Sequence, residues 1–425
     1  MPGHAKTRVA VAVVAAVLGV SACADNIDSS AGCPLTCSDP SNKVQTVTLD
    51  AVVIDTTVPA GLGMGTEQVM LLASRGDTVD TRLIYRFDSL PATALATKTA
   101  TTPTAITSVD SVFLRLHFDS LAANVNVPVT LSLYDVDSVG VNDTSPAALA
   151  ALFTPARLIG TRTLAAGKAV DTVSVQLSNA AVLAKIQNHL PLRIGVQVTA
   201  SASVSLRQPA SETAFGASLY MRVSSDFGVP AVTLAPNSRI EGNNYAESAA
   251  LRDFMIVVIG TPPPPAGMLA VGGVPASRTY FRFSVPPILV DSSIVVRATL
   301  LMTQVPSGSP DPTDTMSVQP DVVVAGTAVN DIGRAAQITS STLIPFETFK
   351  TFPTTSGAQE IEVAPAFSVW AAQTEATLPR ALILMSGRED GSAQQVLFYS
   401  TEATDPTVRP KLRISYTPRT RIGTP

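Results

Sequence analysis

Histidine, tryptophan and cysteine are scarce in this sequence: three, one and three copies in 425 residues. Beyond the N-terminal stretch only His117 and His189 remain, so a histidine-rich metal site is excluded. One tryptophan and 5% aromatic residues give little material for sugar-stacking platforms, which need exposed ring faces. Charged residues reach only 15%, low for a solvated surface, and serine and threonine take over that task. There is no basic excess, with 29 Lys and Arg against 33 Asp and Glu, so nucleic acid is not an expected partner. Two motif tests also fail. No Gly-x-x-x-x-Gly-Lys phosphate loop and no Gly-x-Ser-x-Gly nucleophile elbow occur. The expectation is therefore a non-enzyme.

No apolar run reaches the roughly 20 residues of a membrane span. The one run of note, Val9 to Val20, follows a basic start of His4, Lys6 and Arg8 and leads into Val20-Ser21-Ala22-Cys23. A positive head, a short apolar middle and small residues before a cut site make residues 1–22 a secretory signal. The cysteine at the cut resembles the bacterial lipobox, in which it takes diacylglycerol and becomes the first mature residue. Ala24, rather than an aspartate, fits outer-membrane sorting by resemblance to lipoproteins generally. The expected location is thus the cell envelope, with the membrane as partner through the lipid. Removal of residues 1–22 takes away Lys6 and Arg8 and lowers the basic count from 29 to 27 against 33 acids, a net charge of −6.

The remaining cysteines are Cys33 and Cys37. Lipidation of Cys23 explains the odd count and leaves these two as a pair. Redox and zinc readings are disfavoured: the spacing is not C-x-x-C, and zinc needs about four ligands. A disulfide loop in an oxidising compartment is the favoured reading, within a polar tether over 23–45.

From Thr46 onward the chain is a series of short β signals. Val129-Thr130-Leu131-Ser132-Leu133-Tyr134 alternates, as do Thr172 to Leu177 and Arg193 to Val198. Period-2 runs bounded by Gly, Pro, Asn, Asp or Ser predict half-buried antiparallel strands. The pattern also repeats. Val52-Val53-Ile54-Asp55-Thr56 is echoed by Val257-Val258-Ile259-Gly260-Thr261, and Arg82 to Phe87 by Arg278 to Phe283. Each half carries a short helical pattern, over Ala180 to Gln187 and Ala366 to Thr374, and a late strand entered from Pro191 or Pro379. Each closes with Glu212 or Glu402 ahead of a final strand. The expected fold is all-β: two tandem antiparallel β-sandwiches of jelly-roll type, each with a short helix. Their expected bounds are 46–224 and 225–418, with a tail over 419–425. Pro262 to Pro265 reads as a loop after the second unit's first strand, with a stiff spacer as the alternative.

Ser400-Thr401-Glu402 with Arg409-Pro410-Lys411-Leu412-Arg413-Ile414-Ser415-Tyr416, the phenylalanine strands at Phe87 and Phe283 and the helix near Trp370 resemble the DNRLRE-type domains. These are β-sandwich modules of bacterial surface and secreted proteins. The resemblance implies a non-catalytic module, and some family members resemble polysaccharide-binding modules. A surface module for polysaccharide is thus the leading expectation. A structural envelope lipoprotein that docks other proteins is the alternative.

Three constellations remain. Asp135, Asp137, Asn142 and Asp143 form an oxygen-rich loop that suits calcium, which takes about six to eight oxygens; a solvated turn is the competing reading. It is not an EF-hand loop, since Pro146 stands at the twelfth position. Asp311 and Asp314 make a weaker case. Arg82, Arg86, Arg278 and Arg282 recur at matching places, as an anion site or, preferably, as strand arginines paired with acids such as Glu212 or Glu402. Trp370, beside Phe367 and Val369, is expected in the core.

Overall fold

The computed structural model describes residues 43–61, 64–119, 125–137, 145–167, 171–238, 251–308, 315–340, 346–373, 377–389 and 391–419. The signal segment, Cys23, Cys33, Cys37, Asn142, Asp143, Asp311 and Asp314 lie outside them. The chain is all-β with a few short helices, as its alternation predicts. It begins with β1 (Gln45–Leu49), β2 (Val52–Pro59), β3 (Val69–Ser74) and β4 (Asp80–Phe87). Then come β5 (Thr93–Ala94), β6 (Thr104–Ala105), β7 (Ser111–His117), β8 (Val129–Asp135), helix α1 (Pro146–Ala150) and β9 (Leu158–Leu164). Next are β10 (Thr172–Gln176), α2 (Asn179–Gln187), β11 (Leu192–Ala200), β12 (Val204–Pro209), β13 (Ser218–Arg222), β14 (Val232–Leu234) and β15 (Asp253–Ile259). The second series opens with β16 (Met268–Gly272), β17 (Ser277–Phe283), α3 (Pro287–Asp291), β18 (Ser293–Val305) and β19 (Met316–Val322). It ends with α4 (Ile332–Ala335), β20 (Phe349–Thr351), β21 (Gly357–Glu362), α5 (Ala364–Ala372), β22 (Ala381–Ser386), β23 (Gln395–Tyr399) and β24 (Lys411–Pro418). Both longer helices fall where the 3.6-residue pattern put them. Ser178 caps α2 by accepting from Ala181 N at 3.3 Å.

The strands form two groups of matching topology. In the first, β10-β7-β13-β14 is a four-stranded layer, and β12-β3-β4-β11-β8-β9 with β15 beside β4 is the layer opposite. In the second, β21-β18-β24-β1 matches the first layer, and β23-β16-β17-β22-β19-β20 with β2 beside β17 matches the other. There the long β18 pairs with β23 at its far end and joins the two layers into one folded sheet. Each pair of layers encloses one apolar core. The first holds Leu83, Tyr85, Phe87, Leu114, Leu131 and Leu219; the second holds Phe281, Phe283, Leu300, Trp370, Leu382 and Ile414. Trp370 is buried, as expected, with its ring 5.0 Å from that of Phe367. Two-sided burial of alternate residues is what holds such layers face to face.

Pairing departs from the expected division in one respect. The opening strands β1 and β2 hydrogen-bond with β24 and β17 of the second group, and β14 and β15 pair with β13 and β4 of the first. The first group is therefore continuous from β3 to β15. The second is completed by the N-terminal ribbon. The expected boundary after residue 224 thus cuts off β14 and β15, which belong to the first group, and Pro262 to Pro265 spans from one group to the other. That run therefore follows the last strand of the first group, not the first strand of the second unit as expected. Register also corrects the repeat. Asp55 lies opposite Phe281, and Asp253 lies opposite Tyr85, the counterpart of Phe281. The equivalent of Asp55 is thus Asp253, not Gly260.

These two aspartates do the same work. Asp55 accepts from Thr401 N at 2.7 Å and Thr401 Oγ1 at 2.6 Å, and Asp253 from Ser211 N at 2.8 Å and Ser211 Oγ at 2.7 Å. Each pins its strand to a turn, ahead of β13 in the first group and of β24 in the second. Burial, before any charge effect, pushes Asp253 up to about 6. The Tyr85 hydroxyl, raised well above its usual range by burial and then by Asp253, makes no hydrogen bond among the described residues.

Arg82 and Arg278 are also equivalent. Arg82 pairs with Asp80 at 2.7 Å and Arg278 with Glu389 at 2.7 Å. They donate to the Ala150 and Ala336 carbonyls at the ends of α1 and α4, tying both outer helices to their sheets. Pairing with acids is as expected, but the partners are Asp80 and Glu389, not Glu212 or Glu402. Arg86 is buried, 5.4 Å from the centre of the Phe254 ring.

Candidate binding face

In β7 and β13 the odd and even positions have opposite fates. Val112, Leu114, Leu116, Leu219 and Met221 enter the core. Their neighbours Phe113, Arg115, His117, Tyr220 and Arg222 occupy the outer face of the four-stranded layer and are half-buried there. An alternating strand ordinarily gives that face to small polar residues. Here it carries rings and guanidinium groups.

Cross-strand register assembles them. Tyr220 stands opposite Phe113, with ring centres 6.4 Å apart, and Gln176 flanks Phe113 on the other side. Arg115, one step along, stacks on Tyr220 with its guanidinium carbon 3.9 Å from the ring centre. Arg222 lies 4.7 Å from the centre of the Phe227 ring, and Phe227 is 84% exposed. At the other end the His117 and Phe215 rings are 5.9 Å apart, and Phe215 is 64% exposed. The stripe follows β7 for six residue steps, about 20 Å at the rise of a β-strand.

The electrostatics are as distinctive as the rings. No carboxylate among the described residues pairs with Arg115 or Arg222, and Arg222 Nη1 is buried without a hydrogen-bond partner. Stacking occupies the flat face of a guanidinium and not its N–H edge, which on Arg115 remains suited to oxygen acceptors. His117 Nδ1 and Thr172 Oγ1 lie 3.0 Å apart, which fixes the ring. Rings for stacking, planar donors and a flat sheet are the ingredients of a surface for an extended, hydroxyl-rich ligand.

The equivalent face of the second group is different. By register Thr299 stands for Phe113, Arg413 for Tyr220, Glu362 for Gln176 and Glu360 for Ser174. Arg297 pairs with Glu362 at 3.0 Å, and Arg413 with Glu360 at 2.5 Å. The arginines there are neutralised within the sheet, and among the described residues no ring stands on it.

The other expected sites fare as follows. Asp135 and Asp137 come together, but around Lys185 of α2, whose Nζ is 3.1 Å from one and 2.8 Å from the other. Arg157 donates to the carbonyl oxygens of both, each at 2.9 Å, and Arg193 approaches Asp137 at 3.9 Å. The two carboxylates are thus already balanced by cations that a calcium ion would have to displace, and Arg157 takes the carbonyl oxygens as well. No group of three metal-ligating side chains occurs among the described residues. A cleft of about 630 Å³ lies beside β2, lined by Asp55, Pro263, Pro264, Pro265, Ser400 and Glu402. It has no cation or ring, and its Asp55 is engaged by Thr401.

The aromatic face was open to sequence reasoning and was missed. Val112 to His117 and Leu219 to Arg222 show strict alternation with aromatic or basic residues at the outward parity, and that is the available signal. Phe215 and Phe227 sit in loops and carry none.

No family model matches the chain and no curated protein matches it. Among solved structures, the N-terminal CBM22-1–CBM22-2 tandem domain of Paenibacillus barcinonensis Xyn10C is 8% identical, covers 87% of this chain and 100% of its own, and superposes with a TM-score of 0.16. The Macrobrachium rosenbergii nodavirus structure is 8% identical over 91% of this chain and 94% of its own, with a TM-score of 0.15. Similarity at this level assigns neither fold family nor function.

Proposed function

We propose that this protein is a non-catalytic binding module of the bacterial envelope, lipid-anchored through Cys23 at the outer membrane, that holds polysaccharide on the outer face of β7 and β13. One observation carries the reading: a stripe of Phe113, Tyr220, Phe215 and Phe227 with unneutralised Arg115 and Arg222, on a face that alternation would leave small and polar. Rings supply stacking surface to sugars, and guanidinium edges supply donors to hydroxyl or carboxylate oxygens.

The test is a glycan-array screen of residues 24–425, with and without calcium, beside the Phe113→Ala/Tyr220→Ala double variant. The reading expects binding by the parent chain and its loss in the variant. Absence of glycan binding, with co-purification of a defined envelope protein, would replace it with a protein-docking lipoprotein. Binding that needs calcium and disappears in Asp135→Ala/Asp137→Ala would restore the acidic loop as a site.

A further inference from the structure

The described chain enters and leaves at one place. Gln45 of β1 pairs with Tyr416 of β24, Ser293 of β18 pairs with Pro418, and Arg419 N donates to Ser292 O at 3.0 Å. Lys43 and Arg419 therefore flank one end of the second group. This end is also where exposed aliphatic residues gather. Val44 is 58% exposed, Ile288 of α3 64%, and Ile294 and Val296 at the start of β18 56% and 58%. They are neighbours through the fold: Ser293 Oγ donates to Ile288 O at 2.9 Å, and Ile294 stands opposite Thr417, one step beyond the Tyr416–Gln45 pair. Pro286 and Pro287 add exposed apolar surface to the same turn, and Asp291 is exposed on it too.

Single exposed aliphatics need no explanation, but a cluster rimmed by polar residues does. Its composition is that of a shallow membrane contact. Aliphatic side chains stand at the tip, lysine and arginine flank them, and Tyr416 lies beside them with its hydroxyl donating to Gln45 Oε1 at 2.9 Å. What covers it is indicated by the chain itself. The segment from Cys23 to residue 42 joins the fold at this tip, and its far end is the cysteine read as the lipid attachment point.

We infer that this tip, built on Val44, Ile288, Ile294 and Val296, rests directly on a lipid bilayer and gives the protein a second membrane contact beside its lipid. The inference rests on the envelope reading for its biological setting but not for its test.

The experiment uses residues 24–425, which contain every described residue and lack the lipidated cysteine. The protein is floated with vesicles of phosphatidylethanolamine and phosphatidylglycerol. The expected result is flotation of the parent chain, a drop of at least tenfold for Ile288→Asp/Ile294→Asp, and no change for Leu158→Asp, an aliphatic in β9 of the first group that is 45% exposed. Equal melting temperatures confirm that the variants are folded, and Ile294→Ser repeats the test with a milder change. A parent chain that stays with the soluble fraction overturns the inference, as does a loss shared by Leu158→Asp. The anchor is read separately, by lipid labelling of the full chain against Cys23→Ser. Failure of that labelling would refute lipidation and leave the flotation result standing.

Discussion

The outer faces of β7–β13 and β18–β24 occupy the same place in the same topology, and their chemistry has diverged. One carries Phe113, Tyr220 and two arginines without carboxylate partners. The other carries Arg297 and Arg413 held by Glu360 and Glu362. Buried positions are alike in both, Leu114 with Leu300 and Met221 with Ile414, because the cores need the same shape. Shared inward residues with divergent outward ones separate what the fold demands from what it leaves free to vary. The groups also differ in closure, since only the second borrows strands from the far end of the chain.

The largest effect on this comparison comes from removing residues 43–61. The second group should lose protection of β17 and β24 throughout, while β7 and β13 keep theirs; hydrogen exchange resolved by peptide reads both. Equal loss in the two groups would show that they fold as one unit. Next, Phe113→Ala/Tyr220→Ala should weaken glycan binding by at least a hundredfold, about 3 kcal/mol at 1.4 kcal/mol per tenfold. Arg297→Ala/Arg413→Ala should leave it unchanged, as titration calorimetry would report.

Acidity acts on the Asp253 pin. Asp253 is raised from 3.8 to about 6 in the fold, so its protonated form is favoured there. Its stabilisation is full below about pH 4 and is lost as pH rises through 6, a change of about 3 kcal/mol for a shift of this size. Melting of the first group should therefore shift upward on acidification from pH 7 to 5, and Asp253→Asn should flatten the profile. The smallest effect belongs to the charged face. Glu360→Ala removes a partner from two exposed arginines and should cost under about 1 kcal/mol, measured by urea denaturation.

The fold class was legible because alternation in Val129 to Tyr134 or Thr172 to Leu177 directly encodes a half-buried strand. Helices at Asn179–Gln187 and Ala364–Ala372 were legible by period. Partnership was not. A strand's sequence states which side is apolar, not which neighbour it joins, and β1 pairs with a strand more than 360 residues away. The false echo of Val257 to Thr261 arose because valine-rich runs look alike at several offsets, whereas the pairing of Asp253 with Ser211 fixes only one. The calcium reading overlooked Lys185 for a similar reason: it lies 48 residues from Asp137 and meets it only in the fold. Whole-chain composition hid the aromatic face, since a low average says nothing about clustering.

The borrowed ribbon bears on how the molecule is made. Synthesis from the N-terminus delivers β1 and β2 first, yet their partner β17 emerges only in the second half of the chain and β24 last. For most of synthesis two strands with unpaired edges must wait in solution, and such edges invite pairing with other chains. The first group can assemble meanwhile, because every strand it needs has already passed. Completion of the second awaits the final residues, so a chain cut short at its C-terminus would strand its own beginning.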